Sequence, residues 1–243
     1  TEVLSPCMEY HYQRDIMKKV TGAILQRDGK TYGIMTHTPS GMVTPEDLEH
    51  IASVGRRFHI PIIKITSGQR MILAGIPADD VDSVMKELGT LGMPDLGPCV
   101  KFVQACLGTE SCKWGSQDSI GLASKIEALV QDKKFPAKVK IGVSGCQRCC
   151  SESQLRDMGL IGTTRGWIVL FGGNGGRKPR VADPIAYGLS ENEACDLVGR
   201  LLEFYQKHGE TQERTARFME RIGIDTLKSE LLSMIPYINL DKV

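Results

Sequence analysis

The chain has 243 residues, 41% of them hydrophobic, enough for one large domain or two small ones with a real buried core. Lys and Arg total 30 against 29 Asp and Glu, so no global charge points to nucleic acid or an anionic membrane, and any anion site must be local. No apolar run approaches the roughly 20 residues of a membrane-spanning helix, and Thr1–Tyr10 lacks the apolar core of a signal peptide, which together predict a cytoplasmic protein.

Two apolar stretches between Ala23 and Met35 flank Asp28-Gly29, a dipeptide suited to a tight turn, and predict a β-hairpin. Thr44-Pro45 supplies a helix cap and a first-turn proline, and Leu48, Ile51, Ala52 and Gly55 repeat at helical spacing, predicting a helix to about Phe58. Ile60–Thr66 and Arg70–Ile76 read as strands around a Ser67-Gly68 turn, and Val81, Val84, Met85 and Leu88 form another helical face. Gly89–Pro98, rich in Gly and Pro, marks a linker or domain boundary rather than an element interior, and the boundary is placed there. Beyond it come a helix over Ser119–Val130, strands over Lys138–Val143 and Trp167–Phe171, and a helix from about Glu191 that carries Ala194, Leu197, Val198, Leu201, Leu202 and Tyr205 on one face. The charged segment Glu210–Arg221 is expected to continue as a more solvated helix. There is no internal repeat and no low-complexity segment.

Eight cysteines in a reducing compartment argue for ligation or catalysis rather than disulfides. Five residues separate Cys106 from Cys112, and three separate Cys146 from Cys150, which follows the loop Ser144-Gly145-Cys146. Four soft thiolates from two glycine-bearing loops suit a 4Fe–4S cubane, which takes one ligand per iron and lets backbone amides approach its sulfides. A structural zinc site, whose pairs usually enclose two to four residues, and inert thiols packed as small hydrophobes are the alternatives. Cys7, Cys99 and Cys195 stand alone in sequence and read as packed thiols, whereas Cys149 adjoins two candidate ligands and stays open.

Phe171-Gly172-Gly173-Asn174-Gly175-Gly176-Arg177 has neither the dinucleotide fingerprint nor the P-loop lysine, which leaves an anion-approaching loop or a flexible strand-end turn. No flavin or nicotinamide motif is visible.

The segments 103–113 (VQACLGTESCK), 140–146 (KIGVSGC), 157–160 (DMGL) and 213–223 (ERTARFMERIG) resemble the sirohaem-containing sulfite and nitrite reductases, whose motif is Cys-x5-Cys followed by Cys-x3-Cys. The resemblance covers nearly all of the chain after residue 100, and residues 1–95, with the strand Arg70–Ile76, resemble one ferredoxin-like half domain of that family. It implies an α+β protein: a ferredoxin-like half domain over 1–95, then a domain over 96–243 that binds a 4Fe–4S cluster and sirohaem. Cys106, Cys112, Cys146 and Cys150 are then the cluster ligands, with Cys150 shared by the sirohaem iron. The chain's length is similar to the small, assimilatory-type sulfite reductases, which implies six-electron reduction of sulfite to sulfide, fed by an external donor such as a ferredoxin. Nitrite reduction to ammonia, or a cluster protein that only transfers electrons, are the other outcomes.

By the same resemblance, Lys138 and Lys140 match the paired lysines of the family's Pro-Arg-Lys-Phe-Lys motif, Arg70 matches a strand arginine, and Lys101 falls where relatives usually have arginine. These four are the expected anion-binding cations, because sulfite needs fixed positive charge and proton donors around it. Gly172, Gly173, Asn174, Gly175, Arg177, Lys178 and Arg180 are assigned to the sirohaem carboxylates, with Arg148 beside the bridging cysteine. The sequence departs from the family at Cys146-Gln147-Arg148-Cys149-Cys150, usually Cys-Pro-Asn-x-Cys, at Ala137, usually arginine, and at Leu107, commonly proline.

Overall fold

The structure, a computed structural model, describes residues 22–93 and 97–234, so the readings of Thr1–Tyr10 and of Cys7 lie outside the described residues. It falls into two compact units, 22–37, 44–66 and 70–93 in the first and 38–43, 67–69 and 97–234 in the second.

In the first unit β1 (Ile24–Leu25) and β2 (Thr31–Thr36) flank the expected turn, where Asp28 accepts the backbone N–H groups of Lys30 and Thr31 at 2.9 Å each. Helix α1 (Pro45–Arg57) opens with a reciprocal cap: Thr44 Oγ1 accepts from the Asp47 amide, and Asp47 accepts from the Thr44 amide. β3 (Ile62–Ile65), β4 (Met71–Pro77) and α2 (Val81–Leu88) follow, giving an antiparallel sheet of order β1-β2-β4-β3. Ile34, Ile51, Val54, Leu73, Ile76, Val81, Val84 and Leu88 are its buried core; of the expected helical faces, Ile51, Gly55, Val81, Val84 and Leu88 are buried, whereas Leu48 is exposed and Val54 takes the inward position instead. Within the segment read as a linker or domain boundary rather than an element interior, β5 (Gly92–Met93) pairs antiparallel with β2. Backbone pairing needs no side-chain alternation, so two residues can extend a sheet edge without a sequence signal.

The second unit is built on a mixed sheet of order β10-β9-β8-β7-β6, from β6 (Val100–Ala105), β7 (Val139–Ser144), β8 (Met158–Thr163), β9 (Gly166–Phe171) and β10 (Asp183–Leu189). β6, β7 and β8 are parallel neighbours. After α3 (Gly108–Ser111), α4 (Ser119–Val130) crosses from β6 to β7, and α5 (Glu191–His208) packs beside it. Together they cover one face of the sheet, burying Val139, Ile141 and Val143 with Leu122, Ile126, Leu197 and Leu201. β8 is buried along most of its length and carries two glycines, so no alternation announced it.

The C-terminal expectation is corrected. The chain turns at residues 209–214 before α6 (Thr215–Ile222) and α7 (Ile224–Met234). Gly209 ends α5, its amide bonded to the Tyr205 carbonyl, and the Tyr205 hydroxyl donates to the Glu213 carbonyl across the turn. α6 buries Ala216, Phe218 and Met219, so its charge is confined to one side.

Candidate metal and cofactor site

Because β6 and β7 run parallel side by side, they end together, and the next residues carry the thiols: Cys106 directly after β6 and Cys146 two residues after β7. Backbone bonds lace the two loops. The Cys106 amide reaches the Val143 carbonyl at 3.2 Å, and the amides of Ser116 and Gln117 share the Gly145 carbonyl at 2.8 and 3.0 Å. Only glycines permit this approach: a Cβ on Gly145 would lie 2.6 Å from Gly108 Cα, and one on Gly108 2.7 Å from the Gln117 carbonyl oxygen. The Gly145 amide donates to Cys106 Sγ at 3.1 Å, a bond that stabilises charge on sulfur. Ser119 Oγ donates to the Cys106 carbonyl at 2.7 Å and lies 3.4 Å from the same sulfur.

Cys106, Cys112, Cys146 and Cys150 line one cavity of about 410 Å³. Among the described residues no three His, Cys, Asp or Glu side chains converge tightly enough for a single ion, and four thiols spread around one cavity suit a cubane, in which each takes a separate iron. Cys150 is the exposed member of the four, so its sulfur is open to a second group. Partial burial, then the neighbouring thiols of Cys106, Cys146 and Cys112, push the Cys150 thiol up, with Arg148 opposing. Binding iron removes those protons. Cys149, left open by the sequence, packs against Ile161, Leu170 and Ala182 and takes no part in the lining. Cys99 is buried and Cys195 packs against the main core.

Gln69 joins the lining from the N-terminal part of this unit. Its amide grips the Ala105 backbone twice, donating to the carbonyl at 2.8 Å and accepting from the N–H at 3.1 Å, one residue before Cys106.

On the sheet face away from α4 and α5, Lys140 Nζ stands 5.7 Å from the centroid of Phe102, and the Arg156 guanidinium stands 5.4 Å from the same ring. Arg156 donates to Gln104 at 2.7 Å and Glu152 at 2.8 Å, while its buried Nε meets no acceptor among the described residues. Burial, then the charges of Arg214, Lys138 and Arg156, lower the Lys140 pKa, with Asp157 opposing. The buried Asp157 accepts the Lys140 amide at 2.9 Å, the Thr215 hydroxyl at 2.7 Å and two bonds from Arg214. Lysines 138 and 140 therefore belong to one cationic group, and an orphaned buried guanidinium nitrogen within it fits an anionic cofactor or substrate. Lys101 falls at the register shift between Val100, which pairs with Val139, and Phe102, which pairs with Lys140.

The segment 172–180 forms a tight hairpin. Asn174 and Arg180 exchange both backbone bonds at 2.9 Å, and the Arg180 guanidinium bonds the Gly172 carbonyl at 2.9 Å and Asp183 at 2.5 Å. Gly173 is buried within it, while Gly175, Arg177 and Lys178 are exposed. Arg148 stacks on Trp114, its guanidinium 4.3 Å from the ring centroid. Arg70 belongs to the first unit, where Nη1 lies 3.2 Å from Met93 Sδ. Sequence reasoning missed Trp114, Arg156 and the Asp157–Arg214 pair; the last two partners sit in quoted motifs 57 residues apart, and a pairing at that separation leaves no periodic trace.

This arrangement suits a 4Fe–4S cluster beside a cationic face of the sheet. Residues 96–236 match the model of the nitrite and sulphite reductase 4Fe-4S domain, and residues 24–91 match that of the nitrite/sulfite reductase ferredoxin-like half domain. The chain is 44% identical to the assimilatory-type sulfite reductase of Nitratidesulfovibrio vulgaris, over 87% of this chain and 97% of that protein. It is 34% identical to the NAD(P)H nitrite reductase of Bacillus subtilis over 86% of this chain, but spans only 26% of that protein. Its fold matches the NirA protein of Mycobacterium tuberculosis with TM-score 0.78 at 15% identity, covering 96% of this chain and 50% of that one. A dissimilatory sulfite reductase I gives TM-score 0.74 at 14% identity, over 85% of this chain and 69% of that one. The chain belongs to the nitrite and sulfite reductase family, oxidoreductases whose cofactors are a 4Fe–4S cluster and sirohaem. No helix among the described residues is long and apolar enough to cross a membrane.

Proposed function

We propose that the chain is a sulfite reductase, converting hydrogen sulfite with six electrons and six protons to hydrosulfide and three waters. The carrying observation is the convergence of Cys106, Cys112, Cys146 and Cys150 on one cavity, with Cys150 exposed, in a chain that matches nearly the whole length of an assimilatory-type sulfite reductase. When bound, the cluster and sirohaem supply a reservoir of electrons and an iron at which the anion is reduced. The four cysteines would hold the cluster, and Cys150 the sirohaem iron as well.

Lys138 and Lys140 are proposed to neutralise the bound anion and pass protons to the oxygens that leave as water, and Lys140's lowered pKa makes it the readier donor. Arg70 and Lys101 are proposed as further anion ligands. Gly172, Gly173, Asn174, Gly175, Arg177 and Lys178 are proposed to bind the sirohaem carboxylates; Arg180, already paired with Asp183, shapes that hairpin. Arg156, with its orphaned Nε, joins the carboxylate-binding set. The domain division is proposed at residues 95–96, the electron source is an external carrier protein, and a reducing cytoplasm is the setting in which these thiols stay available.

Anaerobically prepared protein should show cluster and haem-type absorption, contain iron and acid-labile sulfide, and release sulfide from sulfite with reduced methyl viologen. Faster turnover of nitrite would move the assignment to nitrite reduction, and colourless or zinc-loaded protein would end it.

A further inference from the structure

β6 is the terminal strand of the second sheet, so one of its two sides has no strand partner. Its last residue, Ala105, directly precedes the ligand Cys106, and any slack in the Ala105 backbone passes to that thiol. The Cys106 amide bonds across to Val143 on β7, and by strand alternation the N–H and C=O of Ala105 point the opposite way, to the open edge. Buried backbone groups at such an edge need partners from elsewhere. Gln69 meets both with one carboxamide, Nε2 donating to the carbonyl at 2.8 Å and Oε1 accepting from the N–H at 3.1 Å, as the backbone of a neighbouring strand would. Its own backbone lies at φ +57°, a region that side chains other than glycine occupy only where their surroundings hold them. Thr38 Oγ1 donates to the Gln69 carbonyl at 2.8 Å, and a Cβ on Gly41 would lie 2.7 Å from Gln69 Oε1, so glycine leaves the carboxamide its place. One residue back along the same edge, Ser40 forms a parallel bridge with Gln104, and the Glu127 carboxylate accepts the Ser40 amide at 3.0 Å. Loop and side chain thus stand where a sixth strand would.

We propose that Gln69 is a positioning residue for the cluster: by clamping Ala105 it holds the Cys106 sulfur where the Gly145 amide donates to it, at 3.1 Å, and so raises the cluster's reduction potential. The reduced cluster carries one more negative charge than the oxidised one, and a donor aimed at a ligand sulfur stabilises the reduced form more. Glutamine alone among the uncharged side chains has both the length and the paired donor and acceptor for the clamp; asparagine is one methylene short, and an ionised carboxylate has no hydrogen to give to the Ala105 carbonyl. The inference rests on the cluster reading and not on which anion is reduced.

The test is a redox titration of the holoenzyme, without sulfite, followed by absorbance and electron paramagnetic resonance. Gln69→Met keeps nearly the same bulk, so no water-sized space opens, and removes both bonds. At a fixed applied potential it should raise the oxidised-to-reduced ratio of the cluster about threefold, part of the roughly tenfold that a whole hydrogen bond to a charged group carries. Gln69→Asn, polar but too short to reach, should shift the ratio in the same direction. Gln206→Met removes a comparable bond from a glutamine amide on α5 to the Lys134 carbonyl, 2.7 Å, and should lower thermal stability while leaving the potential unchanged. Loss of the cluster from both Gln69 variants, with circular dichroism showing a folded chain, would be the same displacement of Cys106 carried further and would support the proposal. An unchanged or raised potential in Gln69→Met, an equal shift in Gln206→Met, or failure of both Gln69 variants to fold, which would make the residue a purely structural one, would each overturn it. Wild-type protein that takes up no cluster would overturn the cofactor reading and this inference together, whereas wild-type protein that carries the cluster but makes no sulfide from sulfite would remove the sulfite reading and leave the role of Gln69 standing.

Discussion

Arg214 closes both Nε and Nη2 on the buried carboxylate of Asp157, at 2.9 and 2.6 Å. The same carboxylate accepts the Lys140 amide, so the residue just before α6 is fastened through one side chain to the strand that carries a proposed catalytic lysine.

Asp157→Asn removes the anion and leaves a partly buried guanidinium without its charge partner. It should destabilise the protein by about 3–5 kcal/mol, the usual cost of breaking a buried pair from one side. Chemical denaturation reads this directly, and a change below about 1 kcal/mol would mean the pair contributes little beyond its neutral hydrogen bonds.

Cys150→Ser should lose cluster and sirohaem absorption together, because that sulfur is proposed to serve both. Cys149→Ser should retain both spectra, since this thiol packs against Ile161, Leu170 and Ala182 and not in the cavity. Loss of haem absorption in the second variant would reassign the ligands.

Replacing Lys138 and Lys140 together with Met should lower sulfite turnover by about a hundredfold or more at unchanged cofactor content, the scale expected when donors to a developing charge are removed. Unchanged kinetics would take both lysines out of the site.

The pH profile carries a further mark. Burial and the neighbouring cations favour neutral Lys140, so its proton is lost below the ordinary lysine value of 10.5. Turnover should therefore fall on the alkaline side beginning below that pH. Lys140→Arg, which keeps its charge, should shift that fall upward, and a profile identical to wild type would mean another group sets it.

Gly145→Ala places a methyl group 2.6 Å from Gly108 Cα and 2.8 Å from the Gln117 carbonyl oxygen, so the two cysteine loops must separate. Iron content should drop sharply while the fold, followed by circular dichroism, is retained.

The elements that announced themselves in the sequence are those whose signals are local. Asp28-Gly29, the Thr44-Pro45 cap and the periodic faces of α1, α2 and α5 each set their own backbone. β6 and β10 are irregular in register, β8 is buried throughout its centre, and β5 is two residues of added edge, so all four depend on partners distant in the chain. The site divides the same way. The cysteine spacing was legible because each pair lies in one loop, whereas the Trp114–Arg148 stack and the Asp157–Arg214 pair join segments that only folding brings together.

The side-by-side parallel run of β6 and β7 also limits how such a chain can change in length. Inserting or deleting one residue in either strand would invert every side chain beyond it and carry one pair of sulfurs out of reach of the other. The crossover through α4 bears no such penalty, because extra residues at its flanks leave both strand ends where they are. Relatives that keep the metal centre should therefore vary in length between Gln131 and Lys138, and hold the stretches Val100–Cys106 and Val139–Cys146 at constant length.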